Sequence, residues 1–180
     1  MIVKANPART VYRVQLPTDT IFVKHCRITG PRSWSRELIR PPKARLEFDN
    51  AVALRMRGVP AIEPLAWGTG TSIWPGESFL ITRGLNAVPF LEYLERELPA
   101  LASDERAAIG RQLTVALAEF FARLHDAGIA HPDPHPGNLL LEMPPHRIPR
   151  FTLLDLHAVE VGHPLSVSYT HLRAHETKAN

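Results

Sequence analysis

Asp133 stands two residues after His131 and five before Asn138, within the run His131-Pro132-Asp133-Pro134-His135-Pro136-Gly137-Asn138. With Lys24, Glu47 and Asp155 elsewhere in the chain, these side chains are the parts that transfer of a phosphoryl group demands. A carboxylate at 133 can receive the proton of an attacking hydroxyl. A carboxamide at 138 and a carboxylate at 155 are hard oxygen donors for Mg²⁺. A lysine at 24 can pair with the α- and β-phosphates, and Glu47 can hold that lysine in place.

The spacing His131-x-Asp133 with Asn138 five residues on is that of the kinase catalytic loop, H-x-D-x-x-x-x-N. Its three prolines forbid an α-helix and call for a rigid loop, within which His131 and His135 are expected to hold backbone. Asp155 closes an apolar strand, and Lys24 ends Ile21-Phe22-Val23-Lys24, a strand pattern equivalent to Val-Ala-Ile-Lys. Glu47 lies on the helix that follows. Glu37 is its rival as the lysine's partner, but Pro41-Pro42 interrupts that segment. Any one of these residues is commonplace; the ordered set carries the reading.

The elements that must position them follow from periodicity. The first 26 residues read as three short strands, with turns at Asn6-Pro7 and Pro17-Thr18-Asp19. A basic segment around Trp34 and Leu38 leads into a helix over residues 43–57, stopped by Gly58, with Glu47, Ala51 and Leu54 on one face. Residues 59–65 and 78–82 are predicted as two further strands, which makes five with one main helix. A short helix is expected over residues 90–98. Ser103-Asp104-Glu105 then opens a long one, with Ser103 as its cap. Along it Ile109, Leu113, Leu117, Phe120, Phe121 and Leu124 form a wide apolar stripe that Gly128 terminates. Residues 139–141 and 151–154 read as a hairpin ending at Asp155. The class is α+β.

Composition narrows the alternatives. At 44% hydrophobic and 22% charged residues, the chain has the balance of a folded domain and not of a disordered tail. No run reaches the roughly 18 apolar residues that span a bilayer, and the first residues form no signal sequence, so a cytoplasmic home is expected. The single Cys26 has no disulfide partner and reads as a small packing residue. The formal charge is +3, with Arg27, Arg32, Arg36, Arg40, Lys43 and Arg45 in one stretch that suits an anionic substrate or membrane surface, or is a solvated helix face. No interleaved aromatic residues point to nucleic acid. Two rivals stay open. One is a zinc hydrolase built on His131, Asp133, His135 and His157; the other is a kinase-like binding protein without turnover.

The run from His131 to Leu140 resembles the His-Gly-Asp-Leu-His-x-Gly-Asn loop of bacterial small-molecule and lipopolysaccharide kinases, with His135 where eukaryotic protein kinases carry lysine. Val23-Lys24-His25, Arg45-Leu46-Glu47, Gly58-Val59-Pro60 and Leu154-Asp155-Leu156-His157 are similar to the lipopolysaccharide core kinase family, from about residue 8 to 165. The resemblance implies a protein-kinase-like bilobal fold with residues 1–85 as the sheet-bearing N-lobe and 86–166 as part of the helical C-lobe. It implies ATP and Mg²⁺ as cofactors and a Kdo or heptose acceptor at the cytoplasmic face of the inner membrane, with peripheral membrane contact. It also implies that residues 80–85, including Thr82, Arg83 and Leu85, face adenine through their backbone.

Three departures accompany it. Residues 5–10, Ala-Asn-Pro-Ala-Arg-Thr, contain no glycine where many kinases have a glycine-rich loop, so Arg9 or Thr10 is expected to help hold phosphate. Asp155-Leu156-His157 replaces Asp-Phe-Gly. Residues 167–180, with His171 and His175, resemble a translated sequencing-adapter tail, which implies a truncated C-lobe. Without further helices the stripe over residues 109–124 is expected to lack cover and to leave an exposed apolar patch, with a poorly soluble or inactive product.

Overall fold

The structure, a computed structural model, describes residues 1–70, 76–145 and 148–162. The proposed tail at 167–180, with His171 and His175, lies outside the described residues.

Three strands open the chain: β1 (Ile2–Asn6), β2 (Arg9–Gln15) and β3 (Thr20–Cys26). After α1 (Pro31–Ile39) and α2 (Lys43–Met56), β4 (Pro64–Thr69) and β5 (Ser78–Arg83) complete an antiparallel sheet in the order β1-β2-β3-β5-β4. β3 is therefore central, and Lys24 lies opposite Val11 on one side and Leu80 on the other. Cross-strand neighbours share a face. Lys24, Val11 and Leu80 thus face α2, while Thr10, His25 and Phe79 line the opposite face, where the His25 and Phe79 rings stack 4.5 Å apart.

Helix α2 buries Ala44, Glu47, Ala51 and Leu54. It ends in a hydrogen-bonded hook: Val59 N–H donates to Leu54 C=O and Gly58 N–H to Arg55 C=O, with Gly58 at φ 74°. That left-handed turn costs glycine little.

The expected strand over residues 59–65 is displaced. Val59, Ala61 and Ile62 are buried, Leu153 N–H donates to Pro60 C=O at 3.1 Å, and Ile62 N–H donates to Leu153 C=O at 3.3 Å. Two prolines that lack an N–H, Pro60 and Pro64, limit pairing within the sheet, and β4 begins only at Pro64. The intervening segment stitches the sheet to the rest of the molecule.

Beyond it lie β6 (Val88–Pro89), α3 (Phe90–Glu92), a π-helical turn (Tyr93–Glu97), α4 (Leu98–Ala100) and α5 (Ser103–Asp126). The short helix expected over 90–98 thus exists but widens in its middle. The cap of α5 is Ala102, with no side-chain hydrogen bond, so Ser103 falls inside the first turn. β7 (Ile129–Ala130) pairs with β10 (Glu160–Val161), and β8 (Leu139–Glu142) pairs with β9 (Arg150–Leu153), with β6 added at the edge of β8.

One core joins both units. Ala51, Leu54 and Leu80 from the sheet side belong to the same buried cluster as Leu113, Phe120 and Leu124 of α5 and Leu141, Phe151 and Leu156. Phe151 stands edge-on to Phe90 at 4.9 Å. The stripe of α5 is better covered than expected: Leu113, Phe120 and Leu124 are buried, and Ile109, Leu117 and Phe121 pack against the core. Exposure appears on the neighbouring face instead. There Val115, Met143 and Ile148 stand open beside Ile109 in a groove of about 1020 Å³.

Candidate active site

Lys24 is the hub. Its ammonium donates to Glu47 Oε2 at 2.5 Å and to Asp155 Oδ1 at 2.9 Å. Central placement in β3 aims the lysine at α2, and the i, i+4, i+7 pattern of Glu47, Ala51 and Leu54 turns Glu47 inward. Glu47 is 2% exposed. Burial alone would lower the lysine's pKa, but the two carboxylates outweigh it and the result is raised. Glu37 takes no part in this pair.

Asp155 follows β9 in a left-handed conformation, φ 55° and ψ 55°. Its Oδ1 also meets His157 Nδ1 at 2.9 Å, and its Oδ2 accepts from Arg9 Nη1 at 3.1 Å. Burial would raise this carboxyl, but the His157 hydrogen bond and the charges of Lys24 and Arg9 hold it well below the usual carboxylate range. In sequence His157 reads as a zinc candidate and as part of Asp155-Leu156-His157, and its bond to Asp155 was not expected. Its adjacency to Asp155, two residues away, was the available signal.

The loop after β7 is held from within. His131 Nδ1 accepts from Asp133 N–H at 3.2 Å, and His135 Nδ1 accepts from Gly137 N–H at 3.0 Å. Burial lowers the pKa of His131, so its neutral ring suits an acceptor role. Its buried Nε2 has no partner among the described residues. Within the rigid loop expected, Pro136–Asn138 form a 3-10 turn. Asn138 Nδ2 donates to Asp133 C=O at 3.1 Å, which leaves its Oδ1 as an acceptor. Leu154 N–H donates to Asn138 C=O at 2.8 Å, so Asn138 and Asp155 lie on adjoining segments. The Asp133 side chain, 75% exposed, faces solvent with His135 Nε2 at 3.6 Å.

One carboxylate oxygen pair and one free carboxamide oxygen suit a hard cation that fills its remaining positions with water and phosphate, as Mg²⁺ does. Among the described residues no three His, Cys, Asp or Glu side chains group as a metal cluster. The Nδ1 atoms of His131 and His135 are spent on backbone amides, which removes ligands from the zinc reading.

The remaining expected residues divide. Thr10 is buried on the sheet face opposite Lys24, so its hydroxyl does not enter the cleft. Arg9 shares the Lys24 face but engages Asp155. The β1–β2 turn has little free amide to offer, because Ala8 N–H already donates to Asn6 Oδ1. Thr82 is buried on the Lys24 face. The Arg83 guanidinium pairs with Asp19 and Glu63, and Arg83 N–H donates to Glu63 C=O, so neither is available to a nucleotide. Leu85, half-buried, follows Gly84, whose N–H is bonded to Thr20 C=O.

The model of the lipopolysaccharide kinase (Kdo/WaaP) family matches residues 11–162. No curated protein gives a significant sequence match. Among solved structures, WaaP in complex with acyl carrier protein aligns at 22% identity and a TM-score of 0.62, covering 93% of this chain and 65% of that one. WbdD aligns at 15% identity and 0.59, covering 95% and 35%. The BubR1 kinase domain aligns at 16% identity and 0.65, covering 93% and 48%. At these identities the likeness shows the fold, which is kinase-like. The chain spans less than two thirds of the length of these structures.

Proposed function

The chain belongs to the lipopolysaccharide kinase (Kdo/WaaP) family, and from that premise we propose that it transfers the γ-phosphoryl group of ATP to a sugar hydroxyl. What supports this most is one observation: Lys24 reaches both Glu47 and Asp155, and Asp155 adjoins the segment carrying Asn138 and Asp133. In this reading residues 1–85 act as the N-lobe and 86–166 as part of the C-lobe, with the nucleotide between them.

Lys24 neutralises the α- and β-phosphates, oriented by Glu47. Asp155 and Asn138 hold Mg²⁺, which when bound draws charge from the phosphate oxygens. Asp133 takes the proton as the acceptor oxygen bonds to the γ-phosphorus, and the bond to the leaving oxygen of ADP breaks. His131 and His135 fix the loop that presents Asp133. Thr82 and the backbone at Leu85 border the adenine.

The acceptor in this proposal is Kdo or heptose of the lipopolysaccharide inner core, at the cytoplasmic face of the inner membrane. Leu38 and Ile39 of α1 are exposed beside Arg40, a mixture that suits peripheral contact with an anionic bilayer. Among the described residues no helix is long and apolar enough to cross a membrane.

A second reading has its own support. The glycine-free turn and the Arg9 guanidinium on Asp155 also suit a protein that binds nucleotide without turnover. Asp133→Ala decides. With Kdo-bearing and heptose-bearing acceptors, transfer followed by mass spectrometry should fall about 10²–10⁴-fold while nucleotide affinity holds. Unchanged transfer refutes the kinase reading. Nucleotide binding with no transfer by the unaltered chain favours the second.

A further inference from the structure

Asp155 is the one non-glycine residue with positive φ among the described residues. A left-handed backbone is strained for an L-residue and persists only where its surroundings over-determine it. Two restraints flank it. Before it, Leu154 N–H donates to Asn138 C=O. After it, Asn50 of α2 donates through Nδ2 to Leu156 C=O at 2.7 Å and to Val159 C=O at 3.2 Å.

Leu156 C=O also accepts from Val159 N–H at 3.2 Å, so Asn50 closes on a turn already anchored by the buried Leu156 and Val159 side chains. Asn50 lies three residues beyond Glu47, the next position along the same side of α2. One helix therefore grips Lys24 through Glu47 and the backbone that follows Asp155 through Asn50.

We infer that Asn50 is a positioning residue: it locks the turn at 156–159 and thereby holds Asp155 in the conformation that presents its carboxylate to Mg²⁺. The inference rests on the kinase reading above, in which Asp155 binds the metal. Because Glu47 and Asn50 share a helix, any outward shift of α2 releases the lysine and the metal carboxylate together. Neither a helix-interior asparagine nor its spacing marks this role in sequence.

The test uses Asn50→Leu, which removes the donor, and Asn50→Gln, which returns an amide one methylene longer. The affinity of each full chain for a non-hydrolysable ATP analogue is measured by calorimetry with and without Mg²⁺, below the melting temperature of the weakest variant. Loss of a group bonded directly to a metal ligand lowers metal affinity about 10–100-fold; Asn50 acts one residue away, through Leu156 C=O, so the lower end, about tenfold, applies. The expected result is a loss of that size in the Mg²⁺-dependent part of binding for Asn50→Leu. Metal-free affinity should stay within about twofold, part of the loss should return in Asn50→Gln, and hydrogen exchange at the Val159 amide should quicken. A full Mg²⁺-dependent gain in Asn50→Leu, or equal losses with and without metal, overturns the inference. An unaltered chain that binds no nucleotide sinks the kinase reading itself, a result distinct from either of those.

Discussion

Lys24→Met tests the electrostatics at the centre of the molecule. The substitution keeps most of the side-chain length and removes the charge, which leaves Glu47, 2% exposed, without a cation. At 2.5 Å and an effective dielectric constant of about 20, the lost attraction is on the order of 6–7 kcal/mol. Lys24 no longer has to be desolvated, which offsets part of that, but Glu47 still does. Asp155 is less affected, since its side chain is 24% exposed and retains Arg9. Breaking one partner of a buried pair costs about 3–5 kcal/mol; with Lys24 14% exposed, the lower end applies. A loss of about 3 kcal/mol lowers Tm by roughly 6–12 °C in a domain of this size. Lys24→Met/Glu47→Leu, which removes both charges, should recover most of that loss, to within about 1.5 kcal/mol of the unaltered chain. Urea unfolding at pH 7 measures all three proteins. If Lys24→Met lies within about 0.5 kcal/mol of the starting protein, or the double variant is less stable than Lys24→Met, the reasoning fails.

Acid should weaken the fold through Asp155. Its native carboxyl sits below the ordinary value of 3.8, so its contribution is complete well above that pH and fades as the unfolded chain takes up a proton the native chain refuses. The stability gap between the unaltered chain and Asp155→Asn should therefore narrow by up to about 1.4 kcal/mol per pH unit below about pH 4; a gap that widens in acid contradicts the assignment. Arg9→Leu frees Asp155 Oδ2 from an ion pair worth up to about 1 kcal/mol, so Mg²⁺ titration without nucleotide should show up to about fivefold tighter binding. Weaker binding would show that Arg9 does not compete for that oxygen. Gly137→Ala places a Cβ 2.7 Å from His135 Cε1, which forces the ring away from Gly137 N–H. Transfer should drop at least tenfold with Tm nearly unchanged, and full activity would remove His135 from the account of the loop.

Much of the architecture was legible because its signals are local. The apolar and β-branched runs in β2 and β3, the turn at Asn6-Pro7 and the stripe on α5 each need only a few neighbouring residues to declare themselves. The order of Lys24, Glu47, Asp133, Asn138 and Asp155 was likewise readable, since chemistry dictates which residue types appear at which intervals. Errors arose where partners are distant. Residues 59–63 look like strand by composition, yet they pair with Leu153, some ninety positions away. Thr10 and Arg9 are neighbours in sequence, and only the pleat of β2 sends one away from the cleft and the other into it.

What the sequence determined by itself is the inventory: a lysine in a strand, an acid in a helix, a proline-stiffened loop and an acid at a strand's end. Tertiary structure alone decided how they are wired. Arg9 and Lys24 reach Asp155 across 146 and 131 residues of chain, and Asn50 reaches Leu156 across 106. Short-range periodicity carries no information about such contacts, because they form only when burial of one shared core brings α2, the central strand and the segment after β9 to the same place.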